Sequence, residues 1–341
     1  MTETLTPRQM LKGLLQGAAQ PRPLFLPIVF SLGAKVENVP LRVFLGNATK
    51  ISNSMKQIRG YLRSDGVTCY FDPYLEAEAL GAELHWQAEG QPPTVQWPQD
   101  AEDGALPEGL RSPGDAAKSG RVNVAVEAIR RLKSLLRDEL LLEAGVMGPF
   151  TLAARLTGLE RLESPVHEDF SESALELAAA TITQIASKFV EAGANIMFIQ
   201  ESILPRLSAE QCEGWASSLA PVINIVRFYE GLPVLQISNS PSFAENKQII
   251  YKQSWDCVIC PAFASCESGT TEIVLPGASA KVGIALPVEL LEAQLPNAET
   301  VFQNLRATIR ELHPAIVTTA SDVPSGTDMK LLAKVWEAVQ F

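Results

Sequence analysis

NIMFIQ, residues 195–200, runs up to Glu201, and PVLQIS follows at 233–238, with an amphipathic pattern over 208–229 between them. Both short runs are apolar without alternation, as strands buried on both faces are. A helix joining two such strands makes a right-handed βαβ unit with the strands parallel. The same alternation extends in both directions. LFLPIVF (24–30), VTCYF (67–71) and LEAGVM (142–147) come before the unit, and CVIC (257–260), KVGIAL (281–286) and AIVTTA (315–320) come after it. Amphipathic helices are predicted over 123–139, 171–192, 298–312 and 327–340. Eight strands alternating with helices predict an α/β fold, a (β/α)8 TIM barrel. An open doubly wound sheet is the rival arrangement, but no G-x-G-x-x-G follows any strand to support it.

Two features flank this repeat. Residues 1–17 read as an amphipathic N-terminal helix, with Thr6 as cap and Pro7 in the first turn. Residues 83–120, containing ELHW, TVQWP and SPGDAAKSG, break the alternation between the second and third strands. They predict an irregular excursion near the barrel mouth, either carrying a hairpin or lying as a surface loop. The 341 residues fit one such domain, 1–341.

A net charge of −11 speaks against a nucleic-acid surface, which needs clustered Lys and Arg. The sequence contains no apolar run long enough to span a bilayer, and the N-terminal pattern lacks a signal-peptide core, so the expected location is cytoplasmic. Five cysteines do not make a disulfide framework. Cys257 and Cys260 form a C-x-x-C, but residues three apart on a strand point to opposite faces, which favours buried thiols. The histidines, His85, His167 and His313, fall in loop or helix-end contexts and read as surface groups.

In a (β/α)8 barrel the chemistry sits at the C-terminal ends of the strands. The polar residues there are Ser31 and Lys35 after the first strand, Asp72 after the second, and Glu201 after the fourth. Gln236, Ser238 and Asn239 follow the fifth, Cys260 the sixth, and Ser321 with Asp322 the eighth. Asp72 and Glu201 stand out as candidate acid–base groups, since burial raises a carboxyl pKa toward a proton-donating range. Each also has a structural reading. Asp72, before Pro73, suits a helix cap, and Glu201 suits a pair with Arg206.

The segments FDPYLEAEALGAELHW (71–86), VMGPFTLAARLTGLE (146–160) and GANIMFIQES (193–202) resemble the uroporphyrinogen decarboxylase superfamily. TPRQMLKGLLQG at the start and IVTTASDVPSGTDMKLLAKVWEAV at the end resemble its first helix and its closing strand, loop and helix. That superfamily includes the decarboxylase itself and the cobamide-linked methyltransferases. In the decarboxylases, the resemblance implies, Asp72 takes the place of the aspartate that gathers pyrrole N–H groups. FSLGAK (30–35) stands where those enzymes carry an arginine-rich RQAGR motif. One lysine does not replace a guanidinium fork on carboxylates.

The wording EAEALGAE sits nearer the methyltransferase branch. Its thiol-activating members hold zinc through an H-x-C pair after the fifth strand and a cysteine after the eighth. Gln236-Ile237-Ser238 and Ser321 stand at those places, and none is an ordinary zinc ligand, so no metal is expected. The resemblance therefore implies zinc-free methyl transfer involving a corrinoid (cobalamin) or a small methylated compound. Asp72 and Glu201 would give acid–base assistance, and Gln236, Ser238 and Asn239 would orient the ligand. A separate corrinoid protein is an implied partner, and the chain is expected as a monomer or homodimer. The alternatives are a decarboxylase acting on a tetrapyrrole and a non-catalytic ligand-binding homologue.

Overall fold

A computed structural model describes residues 5–87, 93–97, 105–137, 139–158, 172–238, 241–261, 281–291, 298–324, 326–327 and 329–340. The strands are β1 (Leu24–Phe25), β2 (Gly66–Tyr70), β3 (Glu83–His85), β4 (Thr94–Gln96), β5 (Leu141–Met147), β6 (Ile196–Glu201), β7 (Leu232–Ile237), β8 (Cys257–Pro261), β9 (Lys281–Leu286) and β10 (Ile316–Thr319). The helices are α1 (Pro7–Leu15), α2 (Leu32–Val36), α3 (Leu41–Leu45), α4 (Ala48–Tyr61), α5 (Leu75–Leu80), α6 (Pro113–Ala116), α7 (Gly120–Leu136), α8 (Pro149–Leu156), α9 (Glu172–Ala192), α10 (Ala209–Phe228), α11 (Pro241–Lys252), α12 (Ala298–Leu312) and α13 (Met329–Val339). Eight strands form one parallel sheet in the order β1-β10-β9-β8-β7-β6-β5-β2, and the fold is a (β/α)8 barrel. None of the described helices is long and apolar enough to cross a membrane.

The chain folds as two compact units, one of residues 1–71, 128–143 and 255–341, the other of 72–127 and 144–254. In the first unit, β1 shows why a seven-residue apolar run yields only a two-residue ladder. Pro27 has no N–H to give. The amides around it alternate between the two sides. Leu24 and Leu26 donate to the carbonyls of Ala315 and Val317 at 3.0 and 2.9 Å, and Ile28 donates to Thr319 Oγ1 at 3.0 Å. On the other side Phe25 donates to Asp65 Oδ2 at 2.8 Å and Val29 to Thr68 Oγ1 at 3.1 Å. Side-chain oxygens thus complete a seam that a backbone ladder would otherwise fill. Arg22 holds Asp65 in place through two hydrogen bonds, at 2.6 and 2.8 Å.

Thr68 also offers its hydroxyl to Glu143 Oε2 at 3.5 Å. Glu143 is fully buried, and burial pushes its carboxyl well above the ordinary range. Its closeness demands glycine at 66, where a Cβ would come within 2.2 Å of Oε1. At the chain's start Thr6 and Gln9 form a reciprocal capping box ahead of Pro7, as the sequence predicts.

In the second unit β6 and β7 pair in parallel from Ile196↔Leu232 to Glu201↔Ile237, and both strands are buried throughout. α10 opens on a Ser208–Gln211 capping box and carries Pro221 inside it. The excursion after β2 holds an antiparallel hairpin, β3 with β4, in the register Leu84↔Val95. His85 is therefore a strand residue rather than a loop residue, and it is exposed. Cys69, Cys212 and Cys257 are buried free thiols, whereas Cys266, His167 and the side chain of Cys260 lie outside the description.

Candidate functional site

The site is built within the second unit, where the chain leaves β2 and where β5 ends. Asp72 is buried, 4 % exposed. Its Oδ1 accepts the N–H of Tyr74 at 3.0 Å, an Asx turn that launches α5. Its Oδ2 is bound by Nη1 of Arg121, which reaches across from α7. Nε of the same guanidinium donates to Glu78 Oε2 at 2.5 Å. One arginine thus joins two acids of the DPYLEAE segment, with both oxygens of Asp72 engaged.

Between those acids lies Glu76, 1 % exposed. Its Oε1 accepts the N–H of Met147, the last residue of β5, at 3.0 Å. Its Oε2 is buried without a hydrogen-bond partner among the described residues. Burial pushes the carboxyl up from 4.5 to about 7, against the lowering effect of the Glu76 and Met147 amides. Asp72 adds to the rise and the charge of Arg155 opposes it. Arg155, buried on α8, lies over the Tyr74 ring at 4.7 Å, and its carbonyl accepts from Trp97 Nε1 at 3.3 Å.

Glu201 meets a different environment. It is fully buried and takes four hydrogen bonds. Oε1 accepts from the Phe150 amide at 3.1 Å and from Trp215 Nε1 at 3.0 Å. Oε2 accepts from the Thr151 amide at 2.9 Å and its hydroxyl at 2.7 Å. α8 begins at Gly148, which has no side chain to cap it, so a carboxylate from β6 satisfies the first-turn amides instead. Gly148 is required by that approach, because a Cβ there would sit 2.2 Å from Glu201 Cδ. Burial pushes Glu201 up to about 7 despite its donors. The expected partner is not its partner: Arg206 pairs with the exposed Glu245 at 3.3 Å.

The other candidates divide by unit. Gln236 is buried on β7, and the Ser238 amide donates to the Glu201 carbonyl at 2.9 Å, continuing the β6–β7 pairing. Asn239 lies outside the described residues. In the first unit Asp322 accepts the amides of Phe30 and Ser31 at 2.8 and 2.9 Å, and Ser31 Oγ donates to the Val323 carbonyl at 3.3 Å. Burial pushes Asp322 up from 3.8 to about 6, with those donors pulling it down. Ser31 and Asp322 are brought together as a clamp on the end of the first strand segment. Lys35 and Ser321 are exposed, and the Ser321 carbonyl accepts from Thr319 Oγ1 at 2.8 Å.

Sequence reasoning passed over Glu76, Arg121 and Arg155. For Glu76 a signal existed. LEAEAL gives α5 no wide polar face, and Leu75, Ala77, Ala79 and Leu80 are all buried around it. Arg121 and Arg155 carried no local signal, since their partners are set by tertiary contacts.

Among the described residues, no group of three His, Cys, Asp or Glu side chains is placed to hold a metal.

The chain shares 28% identity over 131 residues with the methylcobamide:CoM methyltransferase MtaA of Methanosarcina barkeri strain Fusaro, 37% of each protein. It shares 30% identity over 133 residues with a methylated-thiol–coenzyme M methyltransferase of Methanosarcina mazei, 38% of this chain and 35% of that one. The matches thus span little more than a third of these relatives' length. In structure the chain superposes on a methyltransferase from Methanosarcina mazei with a TM-score of 0.80 at 16% identity, covering 98% of both chains. A putative vitamin-B12 independent methionine synthase from Listeria monocytogenes follows at 0.54 and 13% identity, covering 94% of this chain and 98% of that one. At such identities these two likenesses speak for the fold alone. The uroporphyrinogen decarboxylase (URO-D) family model matches residues 6–234, about two thirds of the sequence, and this chain belongs to that family.

Proposed function

We propose that this chain transfers a methyl group between a methylated donor, a corrinoid or a small methylated compound, and a small thiol, without zinc. The observation that carries the reading is the state of Asp72. Its Oδ2 is tied up in a buried ion pair with Arg121 and its Oδ1 holds the Tyr74 amide, so its charge is already matched and its orientation is set by the fold, which disfavours it as the central anchor for the N–H groups of a tetrapyrrole. The names of the sequence relatives, which act on methylcobamide, methylated thiols and coenzyme M, supply the chemistry.

On this reading Arg121 fixes Asp72 and Glu78, and Arg155 on its aromatic shelf supplies positive charge beside Glu76. Glu201 braces the start of α8, which carries Arg155, and Gln236, Ser238 and Asn239 contribute ligand contacts. The methyl donor arrives as a substrate, delivered in the corrinoid case by a separate carrier protein.

The test is turnover by the purified protein with methylcobalamin and 2-mercaptoethanesulfonate, followed by the corrinoid spectrum and by the methylated thiol formed. Transfer that persists in a chelator supports the reading. Absence of methyl transfer with coproporphyrinogen formed from uroporphyrinogen refutes it and establishes the decarboxylase alternative. Ligand binding without either turnover refutes it in favour of a non-catalytic homologue.

A further inference from the structure

Three carboxyl groups are held at the strand ends of the second unit, and their oxygens are used differently. Asp72 has both oxygens engaged, and Glu201 has four donors. Glu76 anchors one oxygen on the Met147 amide and leaves the other buried with no partner among the described residues. An unpaired buried carboxyl oxygen is costly, and a catalytic role or a bound ligand is one of the physical reasons for which such a group is retained. The position suits that use, since Met147 is the C-terminal residue of β5 and active sites of this fold lie at such ends.

We propose that Glu76 is the proton acceptor for the thiol substrate, its Oε2 taking the S–H proton. The inference rests on the methyl-transfer reading. In the step, the S–H bond breaks and the proton passes to Glu76 Oε2. The sulfur pair forms the new C–S bond with the methyl carbon. The bond from that carbon to the donor, a methylcorrinoid or another methylated compound, breaks with its electron pair staying on the donor. With no imidazole or thiolate donor at the places of the zinc ligands, a protein base is needed to generate the nucleophile.

The surroundings match the task. A base works best with a pKa near the working pH, and burial brings Glu76 to about 7. The charged groups around it are Asp72, which precedes its own helix, Arg155 from α8, and Arg121 from α7 by way of Asp72 and Glu78. Proton transfer leaves Glu76 neutral and puts the negative charge on sulfur, beside Arg155. Oε1 stays on the Met147 amide throughout, so the carboxyl is oriented without being consumed.

The experiment compares wild type with Glu76→Gln, which keeps an acceptor for the Met147 amide and loses the base. The readouts are ultraviolet thiolate absorbance and proton release to a weak buffer when 2-mercaptoethanesulfonate binds near neutral pH. Wild type is expected to form bound thiolate with little proton release, because the proton stays on Glu76. Glu76→Gln is expected to bind the thiol protonated, and its turnover with methylcobalamin to fall about 100-fold or more. An equal thiolate band in both proteins overturns the assignment, as does full release of the proton by wild type. If Glu76→Gln does not fold, the infrared carboxyl band of wild type decides: it must grow when the thiol is added, and an unchanged band refutes the proposal. A Glu76-dependent thiolate without methyl transfer keeps this inference and removes the methyl-transfer reading, and failure to bind the thiol removes both.

Discussion

Replacing Gly148 with alanine isolates the contact between β6 and the start of α8. The backbone at 148 has φ −72° and ψ 162°, which alanine adopts freely. By backbone terms alone the change would stabilise by about 0.4–1 kcal/mol, through a less flexible unfolded chain. The side chain reverses the sign. A Cβ at 148 would come within 2.2 Å of Glu201 Cδ and 2.5 Å of Cγ and Oε1. The carboxyl cannot turn aside without leaving the Phe150 and Thr151 amides, the Thr151 hydroxyl and the Trp215 ring N–H. Hydrogen bonds to a charged group contribute about 1.5–3 kcal/mol each, and losing two while partly relaxing costs about 3–5 kcal/mol.

Urea unfolding measures this as a lower midpoint at unchanged m. The decisive control is the same substitution in a Glu201→Ala background, where the atoms that clash are gone. There Gly148→Ala should be neutral or slightly stabilising, giving an interaction energy of about 3–6 kcal/mol between the two sites. A cost below about 1 kcal/mol in the wild-type background would refute the reasoning. So would equal costs in both backgrounds, since the effect would then belong to the backbone.

Two further outcomes follow from the charged groups. Arg121→Met should destabilise by about 3–5 kcal/mol, because Asp72 and Glu78 lose their shared cation and Asp72 is buried; Arg121→Lys should recover only part, since one ammonium cannot span both acids, and denaturant midpoints of the two variants check this. Glu76 and Glu201, both raised from 4.5 to about 7, hold protons in the folded state that the unfolded chain has already lost. Their contribution to stability is complete below about pH 4.5 and is lost as pH rises to about 7, at about 1.4 kcal/mol per pH unit for each group. Unfolding free energies across that window should fall with pH and fall less steeply in Glu76→Gln; a rise would contradict the burial argument.

The strands were legible because parallel strands buried on both faces read as unbroken apolar runs. NIMFIQ, PVLQIS and KVGIAL lie within one residue of β6, β7 and β9. β1 was the exception, since LFLPIVF is interrupted at Pro27, which has no N–H to give, and its bonds to Asp65, Thr68, Thr319 and Asp322 join residues tens to hundreds of positions apart. The site was legible as a set of positions and not as a set of roles. Strand-end logic found Asp72 and Glu201. What binds them depends on α7 and α8, and an arginine or an uncapped helix start carries no mark of the acid it meets.

The contrast among the three acids also bears on which one can carry a proton. Glu201 and Glu76 are displaced to the same value by the same cause, burial, yet they differ in what a proton would do to their surroundings. A proton on Glu201 must displace one of four donors that fix the first turn of α8, so its titration is tied to the integrity of that helix. Asp72 is anchored by Arg121, and a proton there gives up a buried ion pair. Glu76 alone of the three can accept a proton on an oxygen that holds nothing else in place, while its other oxygen keeps the group oriented on Met147. A mobile proton needs a carboxyl that is held but not saturated, and within the DPYLEAE segment that condition falls on the glutamate one helical turn beyond the aspartate.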